Sequence, residues 1–206
     1  KIIKDEGLAV DAMSPGEIHV ELEAGFAPEE IFYIGNNVSA EELNYAVEQG
    51  VKVSVDSLSQ LRLFGELNPG GEVAVRFNPG VGAGHDQKVV TGGKQAKFGF
   101  QPKFVKEVKE ILTKYNLTLI GINQHIGSLF MEEDAYLEGV KSLLAIAENF
   151  SSLEFIDLGG GFGVPYQKQA GEERLDLAKL GTKLDQLLAE WTADYGREVT
   201  FKVEPG

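Results

Sequence analysis

The sequence predicts an α/β fold in which helices cover a parallel β-sheet. Two observations predict this class: apolar, β-rich runs recur along the whole chain, and segments with helical periodicity separate most of them. Alternation of strand and helix favours parallel strands joined by helical crossovers. Two architectures have this alternation, a doubly wound open sheet and an eight-stranded barrel.

Strands are predicted at seven places. They are LAVDAM (8–13), EIFYIG (30–35), KVSVDS (52–57), EVAVRFN (72–78), LTLIGINQHI (117–126), LEFIDLG (153–159) and TFKVEP (200–205). The opening residues, KIIKDEG, are typical of the end of a helix, and we expect the strand before that helix to lie upstream of Lys1. One upstream strand and these seven make eight, which favours the barrel.

The helices between the strands carry their own start and stop signals. Helical spacing is found in PGEIHVELEAG, SAEELNYAVEQG and PKFVKEVKEILTKYN. Several of these segments open with Pro or Ser and close with Gly or Asn, which are the residues preferred at helix starts and ends.

One face of the predicted strands is polar. Residues two apart on a strand share a face, and the polar set is Asp11, Ser54, Asp56, Arg76, Asn78, Asn123, His125, Lys202 and Glu204. Branched apolar side chains ordinarily fill a barrel, so polar residues near the C-terminal ends of several strands indicate an active-site mouth. The alternative is that each is a buried polar group satisfied within the fold.

Two connections stand out. The segment from Asn78 to Phe100 has no convincing periodicity, and a loop of that length in a compact domain is usually functional or disordered. DLGGGFGVPY places Gly159, Gly160 and Gly161 directly after an apolar strand, where backbone amides can hold an anion. A dinucleotide fingerprint would need glycine at Val164, and no Walker lysine follows. The remaining alternative is a tight turn.

Composition argues against several classes of function. The net charge of −13 disfavours binding to nucleic acid or to an anionic membrane. The chain has no cysteine, no long apolar run and no signal-peptide pattern, so we expect an unexported protein with no membrane segment, and the cytoplasm by default. Its three histidines lack the spacing of a zinc site, so no metal is predicted. Ser128 lies outside any hydrolase nucleophile motif and suits anion binding better.

Six motifs in order carry a resemblance to a known family. They are DAMSPGE (11–17), RFNPGV (76–81), TGGKQAKFG (91–99), HIGS (125–128), DLGGGFG (157–163) and EPG (204–206). The sequence resembles the diaminopimelate decarboxylases, pyridoxal-phosphate enzymes built on an alanine-racemase-like barrel. The resemblance covers essentially the whole chain.

The resemblance implies an incomplete enzyme. In this family a strand bearing the lysine that attaches the cofactor precedes the position of Lys1, and a β-rich domain follows EPG. Residues 1–206 are therefore expected to form an incomplete pyridoxal-phosphate-binding barrel domain, of the (β/α)8 type without its first strand, which is inactive alone. The complete protein is expected to be a homodimer.

The resemblance also implies roles for individual residues. Glu204 would pair with the pyridine nitrogen of the cofactor, and His125 would stack on the pyridine ring. Ser128 and the amides of Gly159, Gly160 and Gly161 would hold the phosphate. Arg76 and Asn78 would support the cofactor from behind.

The reaction implied is decarboxylation of an amino acid, with meso-diaminopimelate giving L-lysine and CO₂. In alanine racemases of the same fold an arginine takes the place of Glu204, so glutamate favours decarboxylation. Asn123 and Leu129 depart from the family pattern HxHIGSQ. The alternatives are another basic amino-acid or polyamine-precursor decarboxylase, a non-catalytic pyridoxal-phosphate-binding barrel, and a phosphate-binding barrel enzyme without this cofactor.

Overall fold

The computed structural model describes residues 2–80, 97–131, 133–165 and 174–205. Within them, seven parallel strands form one sheet whose spatial order follows the sequence. The strands are β1 (Val10–Ala12), β2 (Ile31–Tyr33), β3 (Lys52–Val55), β4 (Glu72–Arg76), β5 (Thr118–Asn123), β6 (Phe155–Gly160) and β7 (Thr200–Glu204). In a doubly wound sheet the strand order reverses at one point, and no such reversal occurs among the described strands. The predicted barrel-type α/β fold is confirmed.

Helices connect the strands as predicted. They are α1 (Ile2–Asp5), α2 (Pro15–Glu23), α3 (Ala40–Gln49), α4 (Leu58–Leu67), α5 (Val105–Tyr115), α6 (Glu133–Ala147) and α7 (Leu177–Tyr195), with short 3₁₀ helices at Pro28–Glu30 and Pro102–Phe104. Ser14, Ser39 and Ser57 each accept a backbone N–H at the start of a helix, which satisfies donors that the first turn leaves unpaired. None of the helices in the described ranges is long and apolar enough to cross a membrane.

The sheet curls so that strands four places apart touch. The ring of Phe32 on β2 meets the ring of Phe155 on β6 edge to face, with centroids 5.3 Å apart. Lys202 on β7 places Nζ 5.5 Å from the Phe32 ring centroid and 4.3 Å from that of Phe155. Such contacts need the sheet to be rolled about an axis, with these side chains on its inner face.

Two apolar clusters separate the inside of the curl from its outside. The inner cluster is small and consists of Phe32, Ile34, Ala74, Ile120 and Phe155. The register between β4 and β5 passes from Val73↔Leu119 to Ala74↔Gly121, so Ile120 is an extra residue of β5 at this level of the cluster. The larger cluster lies between the sheet and the helices.

Above the inner cluster the inside of the curl is polar. Ser54 donates from Oγ to Oδ1 of Asn123 over 2.7 Å, and both residues are buried. Their strands are separated by β4, so the bond crosses the inner face. For these two residues the reading of internally satisfied polar groups holds. Several of the other polar residues predicted for this face lie at or just beyond the C-terminal ends of their strands, where the curl opens, namely Asp56, Arg76, Asn78, His125 and Glu204. Lys202 lies deeper, over the ring of Phe155.

Candidate active site

A cavity of about 930 Å³ opens at the C-terminal ends of the strands. It is lined by Asp11, His125, Ser128, Leu129, Gly161, Phe162, Gly163, Val164, Pro165, Arg174, Leu175, Leu177, Glu204 and Pro205. A neighbouring cavity of about 300 Å³ shares Asp11, His125 and Glu204 with it and adds Arg76 and Phe98. Four strands thus contribute side chains to one mouth, the position expected for the active site of a barrel.

Glu204 and His125 meet at the centre of this mouth. Glu204 is the last residue of β7, and His125 follows the end of β5 by two residues. His125 Nδ1 lies 3.6 Å from Glu204 Oε2, and each side chain is about a quarter exposed (24% and 23%). A carboxylate and an imidazole are therefore held together where solvent and a ligand can still reach them.

Arg76 supplies a buried positive charge behind Glu204. It is the last residue of β4, is buried, and places its guanidinium carbon 5.4 Å from the centroid of the Phe98 ring. Burial lowers the pKa of Arg76, while the charges of Glu204, Asp56 and Asp157 oppose that shift. Because arginine keeps its charge in proteins, it offsets part of the negative charge of these carboxyl groups.

Asp157 is a site residue that sequence reasoning missed. It lies on β6, is only 3% exposed, and is hydrogen-bonded to the side chain of Glu204. Burial raises the pKa of Asp157 to about 8, and the charge of Glu204 acts in the same direction. Its sequence neighbours Ile156 and Leu158 are apolar, and we predicted the motif DLGGGFG for its glycines alone. The period-two pattern offered the one available signal, since Asp157 shares a face with Phe155.

Three glycines at the end of β6 allow the backbone after β5 and at the end of β7 to pack directly against it. A side chain at Gly159 would overlap the carbonyl oxygen of Gln124, and one at Gly160 would overlap the carbonyl oxygen of Glu204. One at Gly161 would overlap the carbonyl oxygen of Gly127. Gly159 and Gly161 also have positive φ angles, +69° and +89°, which glycine adopts without strain. The backbone packing alone accounts for three glycines in a row, a reason that the sequence analysis did not weigh.

The amide of Gly159 makes a hydrogen bond within the protein. Its N–H donates to Asp157 Oδ1 over 2.9 Å. The phosphate role of Gly159 stays a prediction. Gly161 lines the large cavity together with Ser128, and the prediction for these residues and for Gly160 stands as before.

Arg174 and Leu129 also line the cavity. Arg174 is exposed, and nothing in its sequence context distinguished it. Leu129 adopts φ = +60°, an uncommon conformation for a bulky residue without a glycine's freedom. Strained backbone of this kind concentrates at functional sites, and Leu129 stands where the family pattern has glutamine.

Asn78 lies outside the lining of both cavities. Its Oδ1 accepts the N–H of Gly80 over 2.9 Å, and its own N–H donates to the carbonyl of Phe100. The residue shapes the turn after β4. Residues 81–96 of the long connection, including His85, lie outside the described part of the chain, and His19 is exposed on α2. No cluster of three metal-binding side chains occurs among the described residues.

Comparison with known proteins gives one family. Residues 1–206 match the family described as pyridoxal-dependent decarboxylase, pyridoxal binding domain. The chain is 39% identical over 202 residues to a diaminopimelate decarboxylase of Methanothermobacter thermautotrophicus, covering 95% of this chain and 47% of the relative.

Solved structures agree with this family. A crystal structure of a diaminopimelate decarboxylase superposes with a TM-score of 0.88 and 31% identity, over 99% of this chain and 49% of that one. The Helicobacter pylori diaminopimelate decarboxylase in complex with L-lysine superposes with a TM-score of 0.85 and 27% identity, over 100% of this chain and 52% of that one. The chain thus spans about half the length of the curated relatives it matches.

Proposed function

Since this chain belongs to the pyridoxal-dependent decarboxylases, we propose that it is the cofactor-binding domain of a diaminopimelate decarboxylase, an enzyme that converts meso-diaminopimelate to L-lysine and CO₂. The observation that carries the proposal is the position of Glu204 in the mouth, in contact with both His125 and Asp157. A carboxylate at that position suits a decarboxylase, whereas the racemases of the same fold have an arginine.

The residues of the cavity fit pyridoxal phosphate. A volume of about 930 Å³ is within the usual range for small-molecule sites. One part of the lining offers the carboxylate of Glu204 to a protonated ring nitrogen. Another offers a hydroxyl from Ser128, a guanidinium from Arg174 and the backbone of Gly161 to a phosphate, which are donors that bind phosphate well. When bound, the protonated pyridine ring of this cofactor receives the electron pair that loss of CO₂ leaves on the substrate.

The role of Glu204 is to keep a proton on the ring nitrogen. A carboxylate next to a cationic N–H stabilises the charged form, and it does so more strongly where water is partly excluded. Glu204 is held by β7, whose backbone lies against Gly160. The carboxylate is therefore placed before any ligand arrives and needs little reorganisation.

His125 is positioned to cover one face of the ring. The residue follows the end of β5, in a segment packed against the end of β6. Its imidazole is a flat, partly exposed surface beside Glu204, and we assign it to stacking. Arg76 and Asn78 support the site from behind, Arg76 through its charge and Asn78 through the turn that follows β4.

The rest of the enzyme is proposed to complete the site. Asp11 on β1 and Glu204 on β7 line the same cavity although their strands are the two edges of the sheet. We propose that a further strand, carrying the lysine that attaches the cofactor, lies between them, and that a β-rich domain follows. We also propose that the complete protein is a cytoplasmic homodimer acting in lysine biosynthesis.

Substrate comparison in the full-length protein tests the proposal. Saturated with pyridoxal phosphate, it should release CO₂ from meso-diaminopimelate with a kcat/KM at least about 100-fold above that for L-arginine or L-ornithine. The reason is that a site built to bind the distal polar group of one substrate strongly disfavours a substrate whose distal group leaves those polar contacts unpaired. Preference for arginine or ornithine would identify another basic amino-acid decarboxylase of this fold. A specific lysine adduct without CO₂ release from any of the three would identify a non-catalytic carrier, and no cofactor binding at all would leave a different phosphate-binding enzyme.

A further inference from the structure

The buried carboxyl of Asp157 has no part in the function described so far. It forms a carboxyl pair with Glu204, in which the two side chains are hydrogen-bonded to each other. Two carboxylates cannot share a hydrogen bond unless one of them carries a proton, because neither has a donor when ionised. The structure therefore raises the question of which member holds it.

Burial places the proton on Asp157. Asp157 is 3% exposed, while the Glu204 side chain is 23% exposed and faces His125 at 3.6 Å. Removal from water penalises the ionised form of the more buried group. Asp157 Oδ1 accepts the Gly159 N–H, which leaves the second oxygen to carry the proton toward Glu204.

The charges around Asp157 do not reverse this assignment. The groups that act on it or feel its charge are Glu204 and Lys202 from β7, Arg76 from β4 and Tyr136 from α6. Lys202 favours ionisation of Asp157, but its contribution is the smallest of the named causes. Its ammonium also lies over the Phe155 ring, and no ion pair of Asp157 occurs among the described residues.

A bulge in β6 lies between Asp157 and the residue opposite Glu204. The register between β6 and β7 passes from Asp157↔Lys202 to Gly160↔Glu204, so three residues of β6 span two of β7. The extra residue changes which side chains share a face. Without the bulge Glu204 would be the partner of Gly159, and its main chain would not rest on Gly160.

We propose that Asp157 is a positioning residue that keeps its proton and donates a hydrogen bond to Glu204, so that Glu204 stays anionic in one fixed orientation toward the ring nitrogen. The orientation rests on the proposed function, whereas the protonation of Asp157 does not. A neutral donor holds Glu204 and leaves its negative charge in place. A lysine or arginine at the same position would offset that charge. The site thus gains one fixed negative charge rather than two that repel each other.

Asparagine at position 157 imitates the protonated acid. Its amide oxygen can accept the Gly159 N–H and its NH₂ can donate to Glu204. In the full-length protein we expect Asp157→Asn to retain kcat within about 3-fold, and Asp157→Ala to lower kcat by about 100-fold through misplacement of Glu204. Asp185→Asn, the same chemical change at an exposed position of α7, should leave kcat unchanged. Loss of activity in a folded Asp157→Asn variant equal to that of Asp157→Ala would overturn the proposal.

Thermal stability tests the proton without any assay of activity. The Asp157 carboxyl ionises near pH 3.8 in an unfolded chain, and its pKa in the folded protein is about 8. Between these values the folded state alone holds the proton, so its contribution to stability falls as the pH rises, and it falls no further above the folded pKa. The Tm of the wild type should therefore fall relative to that of Asp157→Asn between about pH 4 and pH 8, and the difference should stay constant above that range. Parallel Tm curves would overturn the assignment even if the enzyme proves to be a diaminopimelate decarboxylase.

Infrared spectroscopy of Glu21→Gln covers the case in which Asp157→Asn does not fold, because this change removes another carboxyl whose pKa is raised to about 7. A protonated carboxyl has its own carbonyl stretch, and we expect a band of this kind to be present at about pH 6.5 and to disappear as the pH rises through about 8. Its absence at about pH 6.5 would show that Asp157 is ionised, and the proposal would fail. If this band is present but the protein has no decarboxylase activity, the proposed function is rejected and the protonation of Asp157 is still supported.

Discussion

Glu204 and His125 meet with Oε2 and Nδ1 3.6 Å apart although strand β6 separates their two strands in the sheet. The contact is possible because β6 ends in glycines, against which the carbonyl groups of Gln124 and Glu204 rest directly. A side chain at either position would push one of the neighbouring strands away. The glycine run and the Glu204–His125 contact are therefore one structural feature.

Gly160→Ala should disrupt this feature. Its methyl group would overlap the carbonyl oxygen of Glu204, so β7 must shift, and we expect a loss of stability of about 3 kcal/mol or more. Gly181→Ala is the matched control, since Gly181 lies in α7 with no atom within 4 Å of the added carbon. It should stabilise the helix by about 0.5–1 kcal/mol. Denaturation of the two full-length variants measures both changes, and equal stabilities would contradict the packing described here.

Glu204→Gln should lower turnover without unfolding the protein. Glutamine keeps the size of the side chain but loses the charge that holds a proton on the ring nitrogen. We expect kcat to fall by about 10²–10³, or roughly 3–4 kcal/mol of barrier. Turnover per bound cofactor and Tm are measured on the same full-length preparation, with the exposed Glu198→Gln as control. Reduced Tm with normal turnover would mean that Glu204 serves only as a partner for buried Arg76.

Tyr136→Phe should leave the protein as stable or make it more stable. Tyr136 is fully buried, stacked on Phe130, and its hydroxyl has no hydrogen-bond partner among the described residues. Leaving such a group unpaired costs about 1–3 kcal/mol, and phenylalanine removes it. Tyr195→Phe is the contrasting control, because that hydroxyl donates to the carbonyl of Phe150, and its loss should cost about 1 kcal/mol. The idea fails if Tyr136→Phe is the more damaging of the two in chemical denaturation.

Glu21 should make stability depend on pH. Burial raises the pKa of Glu21 from 4.5 to about 7, with the charges of Asp11 and Glu17 adding to the shift. Between these values the unfolded chain has lost the proton and the folded protein has kept it, so stability falls as the pH rises toward 7 and levels off above it. Glu21→Gln should flatten this part of the Tm-against-pH curve. Glu23→Gln, an exposed change in the same helix, should keep the wild-type slope, and an unaltered slope in Glu21→Gln would refute the assignment.

Much of the fold could be predicted because strands and helices have different side-chain periods. Each of the seven predicted runs coincides with one strand of the sheet, and only β6 extends past its run, by one residue. The position of Glu204 and His125 at one mouth followed from alternation and from their places at strand ends, since the C-terminal ends of parallel strands lie at the same side of a sheet. The glycine motif could be located, but its reason could not. The carbonyl groups that require Gly159, Gly160 and Gly161 belong to Gln124, Glu204 and Gly127, which are remote in sequence or on another strand.

The sequence by itself determined the parallel α/β architecture, the mouth and the carboxylate of Glu204, because these depend on local periodicity and on the order of strands. Only the tertiary structure decided how the residues of the mouth divide the work. Asp157 of β6 meets Glu204 of β7, and the amide of Gly159 is directed to Asp157 rather than to the cavity. Which carboxyl keeps a proton depends on how completely each is removed from water. Asp157 is 3% exposed, and the groups whose charges interact with it lie on α6, β4 and β7; no local pattern in the sequence around Asp157 records this.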